Sequence, residues 1–289
     1  MVTTVICTLL VAGCKVSNGL ATQSLGKDNE NATKWSNLTQ NRPQIAKEFD
    51  TVGEGHNKML AEVYNELVSF KDTQARAVSD KNGLSDEEIS FVINRYFSGI
   101  KARTAVTENS EDSESAPEFE FSPAAQKFID RIKVLIDPIT EGTSQNEVEA
   151  IIKQIESIEQ EAETVVLSEE KEPFYAYTAT SRASLAYWHD NIKNWDNLRE
   201  NNAQAERYIS LFQKIAGSIA SDAGGAAAGW AKGGELAEQL FPGNQNVKLA
   251  AQIICSAAVA GVSSAEGWRQ GTYVIVMPIE WLIGKIKNI

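Results

Sequence analysis

Few side chains in this sequence could do acid–base or metal chemistry, because the chain contains only two histidines, His56 and His189. Neither belongs to an H-x-x-x-H or H-E-x-x-H spacing or to a mixed cysteine and histidine cluster, so the sequence predicts no metal site and no cofactor. Asp190 follows His189 directly, and adjacent residues on a helix do not face each other, so we expect that Asp190 does not orient the imidazole in a catalytic triad. The sequence also lacks G-x-S-x-G, Walker and Rossmann patterns, and we predict that the protein is not an enzyme.

The position of His56 indicates a place in the core. It follows Val52 by four residues and precedes Leu60 by four, which puts it on the apolar face of a predicted helix. A hydrogen-bonded core histidine is therefore favoured over a catalytic or ligand-binding one. The binding role stays open, and the candidate binding residues are His56, Asn57, Trp188 and His189.

The charge of the chain bears on its partners. There are 27 Lys and Arg residues against 39 Asp and Glu residues, for a net charge of −12. This acidity predicts no nucleic-acid partner, because affinity for the phosphate backbone comes mainly from basic side chains. Residues 1–172 hold 17 bases and 30 acids, whereas residues 173–289 hold 10 bases and 9 acids, so the two halves present different surfaces.

The N-terminal segment predicts export. Residues 1–13 form an uncharged, apolar run that is too short to span a bilayer, and Leu10-Val-Ala-Gly-Cys14 resembles the lipobox of bacterial lipoproteins. The resemblance implies a signal peptide over 1–13, cleavage before Cys14, and a lipid such as palmitate on Cys14. Lys15 follows in place of Asp, which by the same analogy favours the outer membrane. The alternative is a buried N-terminal strand or helix.

Cys255 lies in an apolar stretch, and its thiol is predicted to be an unreactive part of the core.

Helical periodicity recurs through the remainder of the chain and predicts a mainly α multi-helix bundle. A polar tether over 14–42 precedes a helical domain over 43–289, which is interrupted by an acidic connector over 104–121. Asp50 can cap a helix that extends to about Phe70, and Ser85 with Glu88 forms a capping box. Two helices, one after Ser122-Pro123 and one from Ser144, should form an antiparallel hairpin, and a third long helix carries an aromatic seam of Phe174, Tyr177, Ser181, Leu185, Trp188, Ile192 and Trp195.

Residues 205–272 are rich in Gly and Ala and predict a second helical hairpin. Five small residues recur at steps of four and form what we call the small-residue packing face: Gly217, Ser221, Gly225, Gly229 and Gly233. After a break at 241–244, Ala257, Gly261 and Ala265 repeat the spacing. The two runs resemble the glycine-zipper hairpins of pore-forming peptides and some bacteriocins. The hairpin either inserts into a bilayer or forms the close-packed centre of a soluble bundle. Its charged residues favour the soluble bundle, at about 2.5–3.5 kcal/mol per charge at a bilayer centre.

Two functions follow as expectations. The first is a lipid-anchored cell-envelope protein with a binding or scaffolding role, attached to the membrane through Cys14 and acting on an unknown protein partner. The second is a membrane-active or bacteriocin-like effector that uses the glycine-zipper hairpin. A stretch over 49–60 also resembles uncharacterised helical lipoproteins, and that resemblance implies no activity.

Overall fold

The computed structural model describes residues 42–77, 83–98, 119–140, 142–199, 211–270 and 279–289. The predicted signal peptide over 1–13, Cys14, the predicted tether up to residue 41 and most of the predicted acidic connector lie outside these residues. Within the described ranges the regular secondary structure is helical, which confirms the mainly α multi-helix bundle. The helices are α1 (Gln44–Glu48), α2 (Asp50–Ala77), α3 (Asp86–Ser98), α4 (Pro123–Ile136), α5 (Gln145–Ala162), α6 (Ser168–Asp196), α7 (Leu211–Leu240), α8 (Gln245–Gln270) and α9 (Ile279–Ile286).

Four long helices, α2, α6, α7 and α8, form the centre of the bundle. Helices α2 and α6 run in the same direction, since Gly53 lies against Ala183 and, farther along both helices, the rings of Tyr64 and Trp195 are 5.6 Å apart. Helix α7 runs the opposite way, and α8 folds back antiparallel to α7. Most buried apolar side chains of the four helices belong to one core cluster, because each helix carries an apolar stripe toward the others. A second, smaller cluster lies between α7, α8 and α9.

The helix ends follow local sequence signals. Ser144 and Glu147 form a reciprocal capping box at the start of α5, and the Ser122 hydroxyl accepts a hydrogen bond from the Ala125 amide next to a first-turn proline. The expected box at Ser85 is also present, with the Ser85 amide 2.9 Å from the Glu88 carboxylate. Each cap satisfies backbone amides that a helix start leaves without a partner.

The turn between α7 and α8 spans residues 241–244. Gly243 has a φ of 74°, a conformation that glycine adopts without a steric penalty, and the Asn244 side chain accepts a hydrogen bond of 3.2 Å from the Val247 amide. This turn lies at the predicted break and directs α8 back along α7.

Helix α2 is longer than predicted, since it continues past Phe70 to Ala77.

Helices α4 and α5 form the predicted antiparallel hairpin. The Arg131 guanidinium in the middle of α4 donates to Glu161 in the last turn of α5 at 2.6 Å, and Phe128 packs against Phe174 of α6 with ring centroids 6.2 Å apart. Every member of the predicted aromatic seam on α6 is buried. The seam therefore joins the hairpin to the four central helices.

Candidate functional site

A cluster of polar side chains lies inside the core where the four central helices meet, and we call it the polar joint. It consists of His56 from α2, Ser184 and Trp188 from α6, Asp222 from α7 and Ser264 from α8, all with an exposed fraction of 0%. Each central helix therefore contributes at least one polar side chain. Buried polar groups are costly unless they are partnered, so contacts within the cluster constrain how the helices pack.

The Asp222 carboxylate is the centre of the polar joint. Its Oδ2 accepts hydrogen bonds from the Ser184 hydroxyl and, at 3.2 Å, from the Trp188 indole N–H, and it lies 3.2 Å from Nε2 of His56. The indole N–H also points at the Ser264 hydroxyl, 3.0 Å away. The contact between His56 Nε2 and Asp222 Oδ2 has the distance of an ion pair without the angles of a hydrogen bond.

Asn57 holds the other side of the imidazole. Its Oδ1 is 2.9 Å from Nδ1 of His56, and its side-chain amide donates to the backbone carbonyl of Ala183 on α6 at 3.0 Å. The structure thus brings three of the candidate binding residues, His56, Asn57 and Trp188, into one connected set.

The polar joint contains the residue types of a catalytic triad without the arrangement of one. A triad needs the nucleophile bonded to the base and the base bonded to the acid. Here the Ser184 hydroxyl donates to Asp222, and among the described contacts no bond joins it to His56. A fully buried hydroxyl also offers a substrate no path from solvent. The arrangement is suited to fixing helices in register.

His189 lies apart from the polar joint, on the flank of α6. Its Nδ1 is 2.8 Å from the Asp190 carboxylate, and its Nε2 is 2.8 Å from the backbone carbonyl of Thr143, just before α5. The premise that adjacent side chains on a helix do not face each other was wrong here, because the Asp190 carboxylate contacts the imidazole. Successive residues leave a helix about 100° apart, and Nδ1 lies close enough to the backbone for a short Asp side chain to reach it. The same geometry joins His56 to Asn57.

A second buried cluster, which sequence reasoning missed, holds Arg42 and the start of α2 against α5 and α6. We call it the charge knot, and it contains Arg42, Asp50, Glu156, Glu159 and Arg182. Arg42 donates to Glu159 at 2.7 Å and to Asp50 at 2.8 Å, and Arg182 donates to Asp50 at 2.8 Å and to Glu159 at 3.2 Å. Asp50 therefore serves two arginines, a role that its expected function as a helix cap did not anticipate.

The ionisation of the charge knot follows from this pairing. Burial opposes the charge on Asp50, but Arg182 and Arg42 outweigh burial and hold the pKa of Asp50 below its ordinary value. Burial likewise opposes the charge on Arg42, and its bonds to Asp50 and Glu159 overcome that effect and raise the pKa of the guanidinium. Removing one partner would leave an uncompensated buried charge, which is the costly case for such pairs.

The small-residue packing face lies mostly against the backbone of α8. A Cβ atom added at Gly225 would lie 3.0 Å from the Val259 carbonyl oxygen, and one added at Gly233 would lie 2.7 Å from that of Ala251. At Gly229 the added atom would lie 2.8 Å from the Ser256 Cα. Ser221 is buried, whereas Gly217 at the other end of the row is half-buried and accepts a hydrogen bond from the Ser221 hydroxyl.

The second small-residue row does not face α7. A Cβ atom added at Gly55 of α2 would lie 3.1 Å from the Ala257 Cβ, and one added at Gly261 would lie 3.2 Å from the Met59 sulfur. This row therefore packs α8 on α2, and the two rows serve different interfaces. Gly53 makes a further close approach to α6 that the sequence analysis did not identify, with an added Cβ 2.7 Å from the Ala183 Cβ.

A tryptophan ladder extends from the polar joint along α6 and α8. The ring centroids of Trp188 and Trp195 are 5.2 Å apart, and those of Trp195 and Trp268 are 5.0 Å apart. The Trp268 indole donates to Asp196 at 2.9 Å, and the Arg199 guanidinium lies 5.2 Å from the Trp268 ring centre. All three rings are buried, so their contacts tie the ends of α6 and α8 together.

Other possible sites on the described residues are limited. A surface groove of about 450 Å³ lies between α4 and α5. Within the described ranges, no group of three or more His, Cys, Asp or Glu side chains is placed to hold a metal ion. One helix among them, Gln245–Arg269, has the length and mean hydropathy (1.5) of a membrane span, but 72% of its most apolar stretch is buried in the bundle. No family model, characterised protein or solved structure matches the chain.

Proposed function

We propose that this protein is a lipid-anchored cell-envelope protein whose helical domain has a binding or scaffolding role. The observation that carries the proposal is the Leu10–Cys14 segment, which has the apolar run, the small residues and the cysteine that lipid attachment requires. A single acyl chain gives only marginal membrane binding, so a lipoprotein cysteine with several chains is the stronger anchor.

The charge knot supports this role at the other end of the polar tether. Arg42 has a side chain that is 1% exposed, and it bonds to α2 and α5 directly where the described domain begins. A tether that runs from a lipid on Cys14 to Arg42 would therefore be attached to the domain at a residue that buried ion pairs hold in place. In the polar joint, the Ser184 hydroxyl and the Trp188 indole both donate to Asp222, which supports a structural role for these two side chains.

Fatty-acid labelling tests the anchor. Cells grown with an alkyne analogue of palmitate should label the wild-type protein, and Cys14→Ser should abolish both the label and the partition of the protein into a detergent phase. Cys7→Ser is the matched control, because it removes a cysteine from the predicted signal peptide and leaves the lipobox intact. Equal labelling of the Cys14→Ser variant would refute the lipid anchor.

A second candidate function rests on the apolar character of α8. In this function the α7–α8 hairpin leaves the bundle and enters a bilayer, where its small-residue surfaces could contact other copies. The hairpin would first have to separate from α2 and α6 and expose the buried Asp222. These costs place it second to the scaffolding role.

A disulfide between α2 and α8 separates the two functions. Gly55→Cys with Ala257→Cys would place two Cβ atoms about 3.1 Å apart, slightly inside the usual 3.5–4.5 Å of a disulfide, so a small shift of the helices suffices. In a Cys255→Ser background, this bridge holds α8 on α2. If the hairpin is membrane-active, liposome leakage should be absent in the oxidised protein and return on reduction. If the protein is a scaffold, neither form should cause leakage.

A further inference from the structure

The hydrogen bonds of Asn57 determine which atoms of His56 carry protons. The backbone carbonyl of Ala183 can only accept a hydrogen bond, so the Asn57 side-chain nitrogen must face it, 3.0 Å away. The Asn57 oxygen then faces Nδ1 of His56 at 2.9 Å. Because that oxygen can also only accept, Nδ1 of His56 carries a proton and donates it.

This assignment leaves the second ring nitrogen facing a carboxylate. In a neutral imidazole with its proton on Nδ1, Nε2 is a bare lone pair, and here it would lie 3.2 Å from the Asp222 Oδ2, which is also an acceptor. Two acceptors in contact inside a protein repel each other. One additional proton on the imidazole replaces that repulsion with the attraction of an ion pair at 3.2 Å.

The neighbours of Asp222 decide where the additional proton lies. Oδ2 already accepts hydrogen bonds from Ser184 and Trp188, and donors of this kind stabilise the ionised carboxylate. We propose that His56 is held as a doubly protonated imidazolium paired with the Asp222 carboxylate, so that the folded core stores one proton. The pair is neutral overall, which is the arrangement in which buried charges are tolerated.

The other members of the polar joint, together with Asn57, do not supply a competing charge. Helix α6 presents Ser184 and Trp188, α8 presents Ser264, and α2 itself presents Asn57, none of which ionises near neutral pH. Among the described contacts of His56, Asp222 is the ionisable partner. The stored proton therefore lies between α2 and α7. Ser184 and Trp188 of α6 donate to Asp222, and the Trp188 indole also contacts Ser264, so the same hydrogen-bond network includes α6 and α8.

His189 provides an internal comparison. Both of its ring nitrogens also face acceptors, the Asp190 carboxylate at 2.8 Å and the Thr143 carbonyl at 2.8 Å. Its side chain is 17% exposed, however, so water can replace either contact. The His189 imidazole is therefore open to water, whereas the His56 imidazole, with an exposed fraction of 0%, is closed off from it.

Nitrogen NMR of the full-length chain labelled with ¹⁵N-histidine tests the proposal. At pH 7.5, where an ordinary histidine is mostly neutral, His56 should give two similar ring ¹⁵N shifts, the signature of a doubly protonated ring. His189→Gln identifies the signals of the remaining histidine. Two widely separated shifts for His56, with an unprotonated Nε2, would overturn the proposal.

Unfolding as a function of pH gives an independent readout. If the folded chain holds one proton more than the unfolded chain, the unfolding equilibrium constant rises tenfold for each pH unit above the range in which free histidine deprotonates. In the His189→Gln background this slope should be present between pH 7 and 8, and it should vanish in His56→Gln with Asp222→Asn, which removes the pair together. An unchanged slope in that variant would refute a stored proton at this site, even if the wild-type spectrum alone were ambiguous.

Discussion

Replacing Gly229 by alanine tests whether the small-residue packing face is a contact between backbones. The added Cβ would lie 2.8 Å from both the Cys255 carbonyl carbon and the Ser256 Cα, whereas carbon atoms in contact prefer about 3.5–4.0 Å. Helices α7 and α8 would therefore have to separate by roughly 1 Å, which would also loosen their contacts at Gly225 and Gly233. Alanine improves helix propensity by about 0.8–1.0 kcal/mol, and overpacking costs about 1–3 kcal/mol or more.

The expected net effect is a loss of stability of up to about 2 kcal/mol. Gly234→Ala is the matched control on the same helix, since its added Cβ would meet the flexible end of the Gln252 side chain at 3.1 Å. That variant should be neutral or more stable. Urea unfolding of the full-length Cys14→Ser protein without lipid measures both midpoints. A Gly229→Ala midpoint equal to that of Gly234→Ala, or above it, would refute the close approach of the two backbones. Gly229→Leu adds more volume at the same contact and should lower the midpoint further than Gly229→Ala does.

Three further predictions concern the charged and reactive side chains. Arg42→Met should lower the free energy of unfolding by about 3–5 kcal/mol because it leaves Arg182 as the remaining arginine partner of Asp50, Glu156 and Glu159 in the charge knot. Arg131→Met, at an ion pair about half-exposed, should cost about 1 kcal/mol or less by urea unfolding. The depressed pKa of Asp50 contributes stability above the pKa of an unfolded Asp, so acid unfolding should remove that contribution as pH falls through the folded pKa, and Asp50→Asn should flatten this part of the acid titration. Burial raises the pKa of the Cys255 thiol to about 12, so a thiol reagent should label it only after denaturation, and labelling of the native protein at pH 8 would contradict its burial.

The features that sequence predicted well are those set by near neighbours in the chain. A capping box needs residues three apart, and an apolar helix face needs residues three and four apart, so both can be recognised within one short segment of sequence. The α4–α5 hairpin, the buried seam of α6 and the turn at 241–244 all follow from such short spacings. The fold class is the sum of these local signals.

The charge knot and the polar joint depend on partners far apart in the chain, so no short sequence spacing predicts them. Arg42 meets Glu159 across 117 positions, and Trp188 meets Ser264 across 76. A period of four predicts that small residues share a face, but it does not say which helix covers that face. Ala257 and Gly261 were therefore grouped with the α7 hairpin although they pack on α2. His56 was placed on an apolar face, and only the fold supplies Asp222 as its partner.

The tryptophan ladder gives the protein a built-in optical probe. Neighbouring indoles of the ladder have ring centres 5.2 and 5.0 Å apart at tilted and edge-on angles, close enough for their intense far-ultraviolet transitions to couple, which should give a circular dichroism couplet that isolated rings would lack. Trp188 also touches Asp222, so the emission of the ladder reports on the electric field at that carboxylate. The packing of α6 against α8 can thus be followed by the circular dichroism and fluorescence of the protein's own tryptophans, without an attached dye.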